Sequence, residues 1–200
     1  MTARTIAHTH SRIAPAVALL AWLSLAIVAG ATGDIRRVPQ PGPQLIIVVL
    51  AVSTVLATTL IPRLRVLVDG ADLRWLAAPH VLRFVGFVFL ALAARGEMSP
   101  LFARNAGVGD IISATLALAL ILAGPPRTAL RRGLWLAWSV IGLLDFAIVL
   151  GTARYVALHD PGSLAVLFQV PLVIVPLFAV PLLIALHVIT IRRLLTERAQ

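Results

Sequence analysis

Residues 130–154 read LRRGLWLAWSVIGLLDFAIVLGTAR. Between Arg131-Arg132 and Arg154, the run Leu134–Ala153 carries a single charge, Asp145. As an α-helix rising 1.5 Å per residue, such a run measures about 30 Å, the hydrocarbon thickness of a bilayer. Its apolar residues are continuous rather than alternating, which selects a helix over a barrel strand. Two traits of this segment recur along the chain: arginines at the ends of apolar runs, and ionisable residues inside them.

The same pattern is found at Ile13–Ala31, Leu45–Ile61, Trp75–Ala94, Val108–Ala123 and Leu164–Ile191. Proline and glycine mark the breaks: Pro39, Pro41, Gly42 and Pro43, then Pro62, Gly96 and Pro100, then Gly124 to Pro126, then Pro161 and Gly162. The expectation is an all-α, polytopic transmembrane bundle of six helices, forming one integral membrane domain over residues 1–200. Composition agrees, with 60% apolar and 12% charged residues, against about 45–50% and about 25% in soluble domains. The last run is longer than a crossing requires and holds Pro171, Pro176 and Pro181. It reads as a long, proline-kinked helix, with a broken helix whose freed carbonyls line a cavity as the alternative.

Orientation follows from the arginines. The N-terminus, second loop, fourth loop and C-terminus hold Arg4, Arg12, Arg63, Arg65, Arg74, Arg127, Arg131, Arg132, Arg192, Arg193 and Arg198. The intervening loops hold Arg36, Arg37, Arg95, Arg104 and Arg154. The larger set marks the cytoplasmic side, so both termini are expected inside a bacterial-type cytoplasmic membrane. Ala29-Gly30-Ala31 after the first run also permits a signal-peptide reading, and cleavage there would leave the orientation of the later spans unchanged.

Several classes are excluded. The net charge is +9, yet no basic cluster interleaves with aromatics, so nucleic acid is not the partner. All 17 basic residues are arginine, which we take as coding bias. Without cysteine, disulfides, thiolate metal sites and cysteine nucleophiles are impossible. There is no His-Glu-x-x-His, Gly-x-Ser-x-Gly or phosphate loop. The Gly107-x-Gly109 pair lacks a third glycine and a strand context, so no nucleotide site is read there, and the balance leans against an enzyme. His8 and His10 form a short tract on the N-terminal tail and are weak ligands for a metal.

The chemistry resides in the ionisable residues within the runs. From Trp75, Arg83 lies about 12 Å in, and from Leu134, Asp145 lies about 16 Å in, both measured from the cytoplasmic side. Each charge is costly in lipid and pairing offsets the cost. Gly86 and Gly142, each three residues away, would allow close packing. His80 precedes Arg83 by three residues, and His187 lies at similar depth on the last run. Asp110 is read as opening the fourth helix, where it complements the helix dipole or faces an outward vestibule with Glu97 and Arg104.

The expected function is therefore binding or permeation of a small solute or proton at Arg83, Asp145, Asp110, His80 and His187. The first alternative is a redox protein with His80 and His187 ligating a haem or metal. The second is a structural or assembly subunit of a larger membrane complex. The lipid bilayer is the certain partner, and association into a homo-oligomer or larger complex stays open.

Overall fold

The computed structural model describes the backbone of residues 3–196 and the side chains of residues 14–196. Arg4, Arg12 and Arg198, counted for orientation, and the His8 and His10 tract lie outside the described side chains. Six helices are long and apolar enough to cross a membrane, and no strand occurs among the described residues. We label them α1 (Ala3–Thr32), α2 (Gly42–Leu60), α3 (Leu73–Ala94), α4 (Pro100–Ala123), α5 (Ala129–His159) and α6 (Val175–Thr196). A short helix, Asp34–Arg37, follows α1, and another, Pro62–Gly70, links α2 to α3.

Helices α3, α4, α5 and α6 pack in a closed ring, each against its sequence neighbour and α3 against α6. α2 lies outside this ring against α6. α1 touches only Asp34–Arg37 and the first turn of α6 among its principal contacts. Only 11% of its apolar window is buried, against 50% for α6, so α6 is the central helix and α1 the peripheral one. Trp22 nevertheless anchors α1, donating its indole N–H to the Leu177 carbonyl at 2.8 Å.

Two boundaries differ from the sequence reading, and both matter for the site. α4 starts at Pro100 rather than Val108, because Ser99 caps it by accepting from the Phe102 N–H and Pro100 occupies the first turn. The glycines at positions 107 and 109 are therefore mid-helix and form no opening turn. The run Leu164–Ile191 is not one helix. It divides into a 3₁₀ segment, Pro161–Phe168, a non-helical stretch from Gln169, and α6, whose first turn, Val175–Ala179, is π-helical. Pro171 and Pro176 lack the N–H that a continuous ladder needs here.

Two apolar clusters fill the ends of the ring. One joins Phe89, Met98, Phe102, Val156, Leu164 and Leu167. The other joins Leu73, Leu76, Trp135, Trp138, Ile189 and Leu194 at the arginine-rich end. At that end Arg192 pairs with Asp69, and Arg193 donates to the Val68 carbonyl at 3.0 Å, tying α6 to Pro62–Gly70. The polar residues lie between the two clusters.

Candidate functional site

Within α3 the helix tightens. Asp72 caps its start by accepting from the Arg74 N–H at 2.9 Å, and the first turn, Leu73–Ala77, is α-helical. From Ala78 to Val85, with Pro79 in the first turn, the chain is 3₁₀. Side chains three apart eclipse in that geometry. Ala77, His80, Arg83 and Gly86 thus form one row, and all four are buried. The steeper rise of about 2.0 Å per residue lifts Arg83 to about 15 Å past Trp75, level with Asp145.

The facing helices supply small residues where backbones must approach. A Cβ on Gly86 would strike the Gly107 carbonyl oxygen, and one on Gly107 would lie 2.8 Å from the Gly86 carbonyl oxygen. This crossing of α3 and α4 places Arg83 beside Asp110 and Ser113. Gly86 therefore serves the α3–α4 contact, while Gly142 on α5 makes room for the His187 ring from α6. Gly109 makes room for the Asp145 carboxylate.

Arg83 is 2% exposed, and each of its three guanidinium nitrogens has a partner. Its Nε–H donates to Asp110 at 2.7 Å, one terminal nitrogen donates to the Ser113 hydroxyl at 2.8 Å, and the other to the Asp145 carboxylate. Its guanidinium carbon sits 4.2 Å from the Phe146 ring centre, within cation–π range. Trp138 closes this network by donating to the Ser113 carbonyl at 3.0 Å. One guanidinium thus faces two carboxylates (+1 − 2 = −1 when both are ionised), leaving one formal negative charge unbalanced.

The structure brings Arg83 and Asp145 together and adds Asp110 as a second ion-pair partner. Asp110 does not face a vestibule with Glu97 and Arg104: it is buried, about ten residues into α4, whereas Glu97 pairs with Arg95 at 3.0 Å and both are exposed. Arg104 is exposed as well. The misplacement came from reading the helix start eight residues late. Ser113, Phe146 and Trp138 were not singled out from sequence. The signal available was Asp110-x-x-Ser113 on one helical face, beside Ser99-Pro100 as a cap.

His80 and His187 also meet, with ring centres 4.0 Å apart, and each packs on Trp138. Both rings are fully buried, and their nitrogens have no hydrogen-bond partner among the described residues; nor have the Ser139 and Thr190 hydroxyls. Opposed ligation of one metal, at about 2.0–2.1 Å per bond, separates the two nitrogens alone by about 4 Å and the ring centres by more. The rings contact each other instead, which is not the spacing of axial haem ligands. Among the described residues no group of three or more His, Cys, Asp or Glu gathers to hold a metal ion.

The family model described as a domain of unknown function (DUF8737) matches residues 40–195, and the chain belongs to that family. The matched span contains α2 to α5 and all of α6 but its last residue, and leaves out peripheral α1. No curated protein and no solved structure matches the chain.

Proposed function

For this member of a family whose description assigns no activity, we propose a multi-pass protein of a bacterial-type cytoplasmic membrane, both termini inside, that binds a small solute or proton in its interior. The binding centre is Arg83 with Asp110 and Asp145, backed by His80 and His187. The observation that carries this reading is the charge count. Two carboxylates share one guanidinium inside an apolar bundle, where an unmatched charge is expensive. A proton or a cation is what brings the centre to neutrality.

Such a centre acts as a switch. A proton or cation on one carboxylate weakens its hold on Arg83, which then relies on the other carboxylate and Ser113. α6 is the element able to respond, because its π-helical first turn and the non-helical stretch before it lack a continuous ladder. Motion there would open and close the interior around a fixed site.

Infrared spectra of the purified protein test the count. A carboxylic-acid carbonyl band is expected, and Asp145→Asn or Asp110→Asn should remove it or shift its intensity. In parallel, Arg83→Gln should destabilise the protein by about 3–5 kcal/mol, since it strands buried charge, and Asp145→Asn in the same chain should restore part of that loss. An absent band together with stability unchanged by every single substitution would overturn the reading.

A further inference from the structure

Two cavities meet at the charged centre. The first, of about 380 Å³, has walls of Phe89, Phe102, Val149, Leu164 and Phe168, with Asp110 at its buried end and Arg36 and Arg37 at its exposed one. The second, of about 400 Å³, is bordered by Arg83, Asp110 and Phe146 inside and by Leu82, Val88 and Pro171 outside. Those last three are exposed on the outer surface of the bundle, which for a membrane-spanning helix is the surface lipid covers. The two cavities share Asp110, Phe146, Val175 and Val180.

We propose that the joined cavities hold an amphipathic organic cation, a protonated amine or onium group on an apolar body, reached sideways from the bilayer between α3 and the Pro171–Ile174 stretch. The proposal rests on the proposed function and names the substrate class of the same site. Three observations point to it. Asp110, one of the two carboxylates that share Arg83, lines both cavities, which selects a cation. The walls are apolar and rich in phenylalanine, which suits an organic body rather than a hydrated ion. The exposed mouth is rimmed by Arg36 and Arg37, of which Arg37 is paired with Asp34 at 3.2 Å, so the aqueous route repels cations while the lipid-facing gap does not. Gln44, whose side-chain oxygen is buried without a partner among the described residues, adds an acceptor to the first cavity.

The probe is tetraphenylphosphonium, with tetraphenylborate as its anionic counterpart and tetramethylammonium as a cation without an apolar body. Binding is measured by equilibrium dialysis on protein in lipid nanodiscs, with empty nanodiscs subtracted. Saturable binding of tetraphenylphosphonium and none of tetraphenylborate is expected. Asp110→Asn should weaken it at least ~10-fold, as loss of a desolvated charge partner does. Leu172→Trp fills the lateral gap without touching a charge and should weaken it too, which keeps the test valid if the Asp110 variant fails to fold. Tetraphenylborate binding as tightly, or tetraphenylphosphonium binding unmoved by both variants, overturns the proposal. Asp110-dependent binding of tetramethylammonium alone sinks the amphipathic class and leaves the small-solute reading in place. If neither cation binds but the carboxylic-acid band is present, the proton reading survives and this one does not; if the band is absent too, both fall.

Discussion

At Gly142 a hydrogen atom is the only side chain that fits, because a Cβ there would collide with the imidazole of His187. The cost of adding one is set by how far that ring can move, and it is hemmed in by Trp138 at 4.7 Å and Phe146 at 6.2 Å between ring centres. Gly142→Ala should therefore destabilise the protein by about 1–3 kcal/mol, in the manner of an overpacked core. Gly151 lies on the same helix and a Cβ there would meet nothing within 4 Å. Gly151→Ala should be neutral or stabilise by roughly 0.5–1 kcal/mol through helix propensity. Thermal unfolding of both variants in one detergent checks the contrast, and equal effects would contradict the assigned packing.

At the scale of the element, α3 depends on its cap as well as on its core. The Asp72 carboxyl is held below its ordinary value of 3.8 by the hydrogen bond from the Arg74 side chain and, after it, by the Arg74 backbone N–H. A depressed folded-state value contributes stability that is present above the ordinary value and is lost as pH falls through the depressed one. Asp72→Ala should cost about 1 kcal/mol at neutral pH. The gap between parent and variant should close only below the ordinary aspartate range, a trend that denaturation at a series of pH values would reveal. The 3₁₀ stretch of α3 has its own trace in the residue pattern: Ala77, His80, Arg83 and Gly86, which flank and span it, are all buried at steps of three. A period of three rather than 3.6 turns the histidine and the arginine to the same side of the bundle.

For the whole molecule, the arginine distribution makes a claim about sidedness that the absence of cysteine renders easy to examine. Glu97→Cys and Arg127→Cys each place a single thiol at an exposed position, in the loops after α3 and α4 respectively. A membrane-impermeant maleimide added to intact cells should label the first and spare the second until the membrane is opened. The reverse pattern would invert the orientation and put the Arg36–Arg37 mouth on the cytoplasmic side. The peripheral place of α1, outside the span matched by the family, also predicts that its removal leaves the Arg83 network assembled, with Asp145→Asn having the same effect on stability in the full and shortened chains.

What the sequence determined by itself was the class of structure and the list of chemical actors. Runs such as Leu134–Ala153 can satisfy their backbone in lipid only as helices, and an arginine or aspartate within one stands out because burying it there is costly. Depth along an α-helix was legible too, since its rise is about 1.5 Å per residue; Arg83 lies deeper than that rise gives because of the 3₁₀ stretch, and Asp110 lies deeper because α4 starts at Ser99-Pro100. Tertiary structure alone decided which charges face one another. Gly86 against Gly107 sets the α3–α4 crossing, and Gly142 admits His187; these contacts rotate each helix about its axis, a freedom that an apolar run of nearly uniform residues leaves open. The cavities likewise belong to the assembled helices, because a void is made by what several separate segments fail to fill.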